Sequence, residues 1–250
     1  MIPWTKITNL GDVTIMTVVV AAIAAGFVME RAWRPVFLWC LLFIAGMGLV
    51  VATKIAFLGW GIGIQSLDFE GISGHATRAF AVIPVLCYLI LQRQSAVARM
   101  SGVMLGVAVG IAIAISRSVL HFHSVSEIVA GSLLGAMMSA YFIRMLGDAR
   151  PFELSRSLLA LALIVVAFTP RHAPIETPTQ RWMVGIALYL SGRETPYGRF
   201  DHRSAPLAQY GDAGPSAAWT GRPALACGPE LVRIFRQSRL AGAHRVKHDW

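Results

Sequence analysis

Lys54 stands at the end of one long apolar stretch, and Ser73-Gly74-His75 stands at the start of the next. Further along, Ser116-Arg117 closes a third stretch, and His121, His123 and Glu127 lead into a fourth. Polar groups at membrane depth are costly, so their placement carries information. If the stretches alternate across a bilayer, all of these groups meet on one side of one bundle. Two cations, two or three histidines and a carboxylate gathered in this way suit phosphoryl transfer. Lys54 and Arg117 would neutralise phosphate oxygens, the arginine fork being suited to paired contacts. Ser73 and Gly74 open a helix whose free N–H groups form an anion cradle, with Ser73 placed to cap it. One histidine would attack phosphorus and another would protonate the leaving oxygen. His123 and Glu127 are four apart, on one face of a helix that begins before His123, so that Glu127 would hold the His123 ring.

The elements that must position these groups are read from hydropathy. The chain is 56% hydrophobic and 14% charged, with a mean hydropathy of +0.60. A soluble domain carries about 25% charged residues, so a disordered chain is excluded and an ordinary soluble enzyme is disfavoured. Six apolar runs follow one another: Val13–Met29, Val36–Thr53, Ala76–Leu91, Gly102–Ile115, Ile128–Met145 and Leu154–Thr169. A span takes roughly 20 residues, which several runs reach by borrowing their flanks. Gly106 and Gly110 form a small-xxx-small pair suited to close helix packing in lipid. The expected fold is an all-α polytopic transmembrane helix bundle of about six spans. It has a helical membrane domain over 1–170 and a polar basic tail over 171–250. Within the tail, 182–190 is too short to span and is expected at the interface, anchored by Trp182 and Tyr189. From Ser191 onward turn residues dominate, and the tail is expected to be poorly structured.

Charge orients the bundle. Six alternating spans put Arg31, Arg34, Arg93, Arg99, Arg144, Arg150 and Arg156 on the side opposite the candidate site. The positive-inside rule makes that side cytoplasmic, so the site is expected to face outward, to a periplasm in a bacterium. The net charge of +9 is no sign of a nucleic-acid partner, because half of the 22 Lys and Arg lie from Arg171 onward and no basic stripe is interleaved with aromatics. Cys40, Cys87 and Cys227 make neither a disulfide framework nor a zinc pattern.

The stretch Ile-Ser73-Gly74-His75-Ala and the stretch Ser116-Arg117-Ser-Val-Leu-His-Phe-His123-Ser-Val-Ser-Glu127 resemble two motifs of the type 2 phosphatidic acid phosphatases. That family carries Pro-Ser-Gly-His, then Ser-Arg, five residues, His, three residues and Asp. The resemblance covers roughly Lys54 to Met145. It implies a phosphatase that needs no metal or other cofactor and acts on lipid phosphates or diphosphates. On it, His123 is the nucleophile that forms a phosphohistidine and His75 is the general acid. Lys54, Ser73, Gly74 and Arg117 would hold the phosphate, and Glu127 would orient His123.

Three departures stand out. The family's first motif is Lys, six residues, then Arg-Pro, whereas Lys54 is followed at that distance by Gly61-Ile62. The family's Asp is Glu127, and Ile72 replaces the Pro before Ser-Gly-His. Arg78, one turn beyond His75, is the candidate replacement for the absent arginine.

Plainer roles compete. His75 would cap a helix, Lys54 would snorkel to headgroups, Arg117 would sit at the interface, and Glu127 would favour the helix dipole. Gly59, Gly61 and Gly63 lack the following Lys-Ser/Thr of a nucleotide loop and are expected to form a turn near the site, with Asp68 and Glu70 on its approach. A metal-handling protein would use His121, His123, Glu127 and His75 as ligands, yet the cations Lys54 and Arg117 would repel the metal. A relative that has lost catalysis and serves as a binding scaffold would fit the absent arginine.

Overall fold

The computed structural model describes residues 4–120, 123–147 and 178–198. Seven α-helices are found there: α1 Trp4–Asn9, α2 Val13–Met29, α3 Trp33–Trp60, α4 Gly74–Ile90, α5 Ala96–Val119, α6 Val125–Leu146 and α7 Pro178–Ser191. Three of them, α3, α5 and α6, are long and apolar enough to cross a membrane, and α2 and α4 are shorter apolar helices. Among the described residues there is no β-sheet. The sixth apolar run, Leu154–Thr169, lies outside the described residues.

The outer surface shows which solvent the bundle is built for. Phe37, Leu41 and Ile44 on α3, Met104 on α5 and Met137 on α6 all face outward, each at least 60% exposed. Contiguous apolar surface of this kind suits lipid rather than water. Lipid tails are as apolar as leucine, so helices associate by close contact rather than by escape from water. Small residues supply that contact around α4. A Cβ on Gly106 of α5 would meet the backbone of Pro84, and one on Gly110 would meet the Phe80 ring. On the other side, Gly131 and Gly135 of α6 lie against the carbonyls of Ser73 and Thr77. The α4 residues Ala76, Thr77, Ala79, Ala81, Val82 and Val85 are completely buried as a result.

The main core lies in the half of the bundle away from the candidate site. Phe27 of α2, Trp39 of α3 and Phe142 of α6 pack there, with ring centroids 5.9 Å apart for Phe27–Phe142 and 5.0 Å for Trp39–Phe142. The Trp39 indole N–H donates to the Val20 carbonyl at 3.2 Å. A smaller cluster of Ala76, Phe80, Ala114 and Ile128 forms the floor beneath the site.

Helix ends differ from the apolar runs in ways that matter for the site. α3 continues past Thr53 to Trp60, so Lys54 lies inside the helix and does not close it. Gly61 stops α3 in the left-handed region at φ 69°, its N–H donating to Phe57 O at 2.7 Å. The chain then makes a 3₁₀ turn at Gln65–Leu67 and a single bridge between Ile64 and Phe69 before entering α4. In the C-terminal part, 182–190 lies within α7, which packs along α3: Ala187 is fully buried and its carbonyl faces Gly59. Trp182 remains exposed. Residues 192–198 turn back onto α3, where the Tyr197 N–H donates to Leu58 O at 3.0 Å. The tail beyond 198 lies outside the described residues.

Candidate active site

His123 is held by Glu127, though not across a helical turn. α6 begins at Val125, after His123, and Ser124 is its N-cap. The Ser124 hydroxyl accepts from the Glu127 N–H at 3.4 Å, and the Glu127 carboxylate accepts from the Ser124 N–H at 3.3 Å, a reciprocal capping box. The same oxygen, Oε2, lies 2.6 Å from His123 Nδ1. The other, Oε1, accepts from the Glu70 N–H at 3.1 Å. The carboxylate is 2% exposed and holds three groups at once. Since a carboxylate accepts, Nδ1 carries the ring proton and Nε2 keeps its lone pair.

The His123 ring sits outside the helices in a largely buried position. Burial holds its pKa below the ordinary imidazole value, and the charges of Lys54 and Arg117 push the same way. The hydrogen bond to Glu127 and its charge oppose them. The ring is therefore kept neutral, the form that can attack.

His75 occupies the first turn of α4. Ser73 precedes it at the N-cap position, but its side chain makes no capping bond. The Ser73 hydroxyl is fully buried and unpartnered, while its N–H donates to the Glu127 carbonyl at 3.1 Å and ties the starts of α4 and α6 together. Arg78 Nη2 lies 3.3 Å from His75 Nδ1. A guanidinium only donates, so Nδ1 accepts and the His75 proton is carried on Nε2. The two rings thus offer opposite functions at the same atom: a lone pair on His123 Nε2 and an N–H on His75 Nε2.

Lys54 comes from α3 and packs against the 70–73 loop, where a Cβ on Gly71 would meet its side chain and backbone. The Ile72 N–H donates to the Thr53 hydroxyl at 3.2 Å in the same contact. Arg117, Arg78, Lys54 and the His123 ring all lie close enough to act electrostatically on the His75 ring, so segments far apart in sequence converge here. Lys54, Ser73, Gly74, His75, Arg117, His123 and Glu127 are therefore neighbours in one region of the bundle. His121 lies outside the described residues. Among the described residues, no three His, Cys, Asp or Glu side chains gather as metal ligands.

Sequence reasoning did not single out the N-terminal segment. Arg117 Nη1 donates to the Thr8 hydroxyl of α1 at 3.4 Å, and a Cβ on Gly11 would lie 3.5 Å from the His75 ring. Six residues without an apolar period gave no signal for this contact. The capping box was not singled out either, although Ser124-Val-Ser-Glu127 is a known helix-start pattern that would have signalled it.

Comparison with known proteins identifies a family. The family model described as the PAP2 superfamily matches residues 64–151, a stretch that contains both histidines and excludes Lys54. A Klebsiella pneumoniae protein named as an uncharacterized 22.5 kDa protein in the cps region is 33% identical over 211 residues, covering 81% of this chain and 99% of that protein. No solved structure matches the chain at a significant level.

Proposed function

The chain belongs to the PAP2 superfamily, whose members are phosphatases, and from that premise we propose that it hydrolyses a lipid phosphate or diphosphate at the outward membrane face, through a phosphohistidine on His123. The observation that carries this reading is the 2.6 Å contact between His123 Nδ1 and the buried Glu127 carboxylate. That contact turns an ordinary imidazole into an oriented nucleophile beside Lys54 and Arg117.

In the first displacement the Nε2 lone pair of His123 forms the P–N bond as the P–O bond to the leaving group breaks. His75 enters this step as the imidazolium, and the leaving oxygen takes its Nε2 proton and leaves a neutral ring. In the second, water attacks phosphorus, the P–N bond returns its electrons to His123, and the water proton restores His75. Lys54, Arg117, Ser73 and the free N–H groups beside Gly74 bear the charge on the transferred phosphoryl group. The site lies at the mouth of a helix bundle whose outer surface is apolar, which favours a substrate already anchored in the bilayer. Phosphatidate, phosphatidylglycerol phosphate and polyprenyl diphosphate all carry the required group.

The test is inorganic phosphate release by purified membranes supplied with each of these lipids, for wild type and His123→Ala, with and without chelator. Release that disappears in the variant and survives chelation supports the reading and ranks the substrates. Equal release from variant and wild type would overturn it, and loss to chelator alone would point to a metal site.

A further inference from the structure

Position 61, where the family's first motif has arginine, is a strained and crowded place for one in this fold. Gly61 ends α3 at φ 69°, a region that side chains with a Cβ rarely adopt. The Tyr197 ring also fills the space, lying 2.9 Å from where a Cβ would stand. Arg193 stacks on that ring at 4.1 Å and donates to the Tyr197 hydroxyl at 3.2 Å, so this second guanidinium is tied to the outer surface.

Arg78 is placed differently. It is 6% exposed, and its guanidinium folds back along α4 toward the Ser-Gly-His turn. A Cβ on Gly74 would lie 3.3 Å from Nη1, and Nη2 lies 3.3 Å from His75 Nδ1. Nε is buried with no hydrogen-bond partner, as is the Ser73 hydroxyl one turn earlier. The nearby Glu127 carboxylate is engaged by His123, Ser124 and Glu70. The Asp12 charge reaches Arg78, but its carboxylate accepts from the Thr14 N–H at 2.8 Å as the N-cap of α2. A buried arginine with an unused donor is costly unless an anion completes it.

We infer that Arg78 is the second phosphate-binding guanidinium of this site, supplying from α4 the contact that Gly61 does not make from α3. One edge of its fork holds His75 while the remaining donors meet the phosphate, so a single side chain links the leaving-group acid to the transferred group. This deepens the phosphatase reading, but its central claim is anion binding and can be tested without turnover.

The probe is orthovanadate, read through the thermal unfolding midpoint of the full-length protein in detergent micelles. Vanadate should raise the wild-type midpoint. Arg78→Gln should require roughly ten- to a hundredfold more vanadate for the same rise, the loss expected for one charge-assisted contact. Arg78→Lys keeps the charge without the fork and should fall between the two, and it remains informative if the glutamine variant folds poorly. Unchanged half-saturation in both variants would overturn the inference, as would a wild-type midpoint indifferent to vanadate. If Arg78 served only to orient His75, vanadate affinity would hold while turnover fell for phosphatidate and not for p-nitrophenyl phosphate, whose leaving group needs little acid. Vanadate binding that depends on Arg78, in a protein that releases no phosphate from any lipid, would retain the inference and reject the phosphatase reading.

Discussion

At the scale of single residues, the departure from Asp to Glu at position 127 has a structural reason. Glutamate at the third position of a helix reaches back to its own N-cap, with one more methylene than Asp. Glu127 uses that reach to bond the Ser124 N–H and the His123 ring through one oxygen. Glu127→Gln keeps the length but loses the charge and offers an amide that can donate to the wrong nitrogen. Phosphate release should fall on the order of a hundredfold or more, with lesser change in KM. The pH dependence gives a second check. On the phosphohistidine proposal His123 must be neutral to attack, and burial, Lys54 and Arg117 keep its pKa below the ordinary value. Activity governed by His123 should therefore persist below the usual imidazole range and fall only as pH drops through the lowered pKa. Lys54→Gln removes one of the charges holding that pKa down, so the acid limb of kcat/KM should move to higher pH as the rate falls. A limb that stays in place would show that Lys54 does not act on His123.

At the scale of elements, the site depends on how closely α4 and α6 approach. Gly131 faces the Ser73 carbonyl, the Thr77 hydroxyl and the Ala76 methyl, and even a single methyl there would collide with backbone. Gly131→Ala should destabilise the protein by about 1–3 kcal/mol and displace the Ser-Gly-His turn, lowering both the unfolding midpoint and phosphate release. Gly48→Ala is the control, because nothing lies within 4 Å of a Cβ at that position, and its midpoint should not fall. Elements were legible to different degrees, for physical reasons. The Val13–Met29 run matches α2 at both ends because Asp12 caps it and Glu30 interrupts it. The second run was read short because Lys54 breaks the apolar pattern without breaking the helix, which ends only where Gly61 turns left-handed. The pairing of His123 with Glu127 was legible, but its geometry was not, since a spacing of four suggests one helical face whereas the helix starts only after His123, with Glu127 folded back in a capping box with Ser124. Arg78 could be named from sequence, yet its orientation toward Gly74 and His75 depends on packing by other helices. The placement of α1 on Arg117 is likewise tertiary.

At the scale of the whole molecule, the two ends of the bundle differ in what they carry. Lys54, Arg78 and Arg117 sit at the end that holds the histidines. Arg31 and Arg93 lie in turns at the other end, with Arg34 and Arg99 in the first turns of α3 and α5 and Arg144 in the last turn of α6. Those five carry the topology signal, and Arg99 Nη1 donates to the Gln92 carbonyl at 3.4 Å. Short basic turns are retained in the cytoplasm, so the site should open to the opposite compartment. An outward site requires its lipid substrate to present the phosphate in the outer leaflet. The prediction can be checked with single cysteines placed in a background lacking Cys40, Cys87 and Cys227. Gln65 lies in the exposed 3₁₀ turn near the site and Gln94 in the exposed turn between α4 and α5. A membrane-impermeant maleimide added to intact cells should label Gln65→Cys and spare Gln94→Cys until the membrane is permeabilised. The reverse pattern would place the histidines in the cytoplasm, and substrates would then have to come from the inner leaflet, where newly made phospholipids present their phosphates.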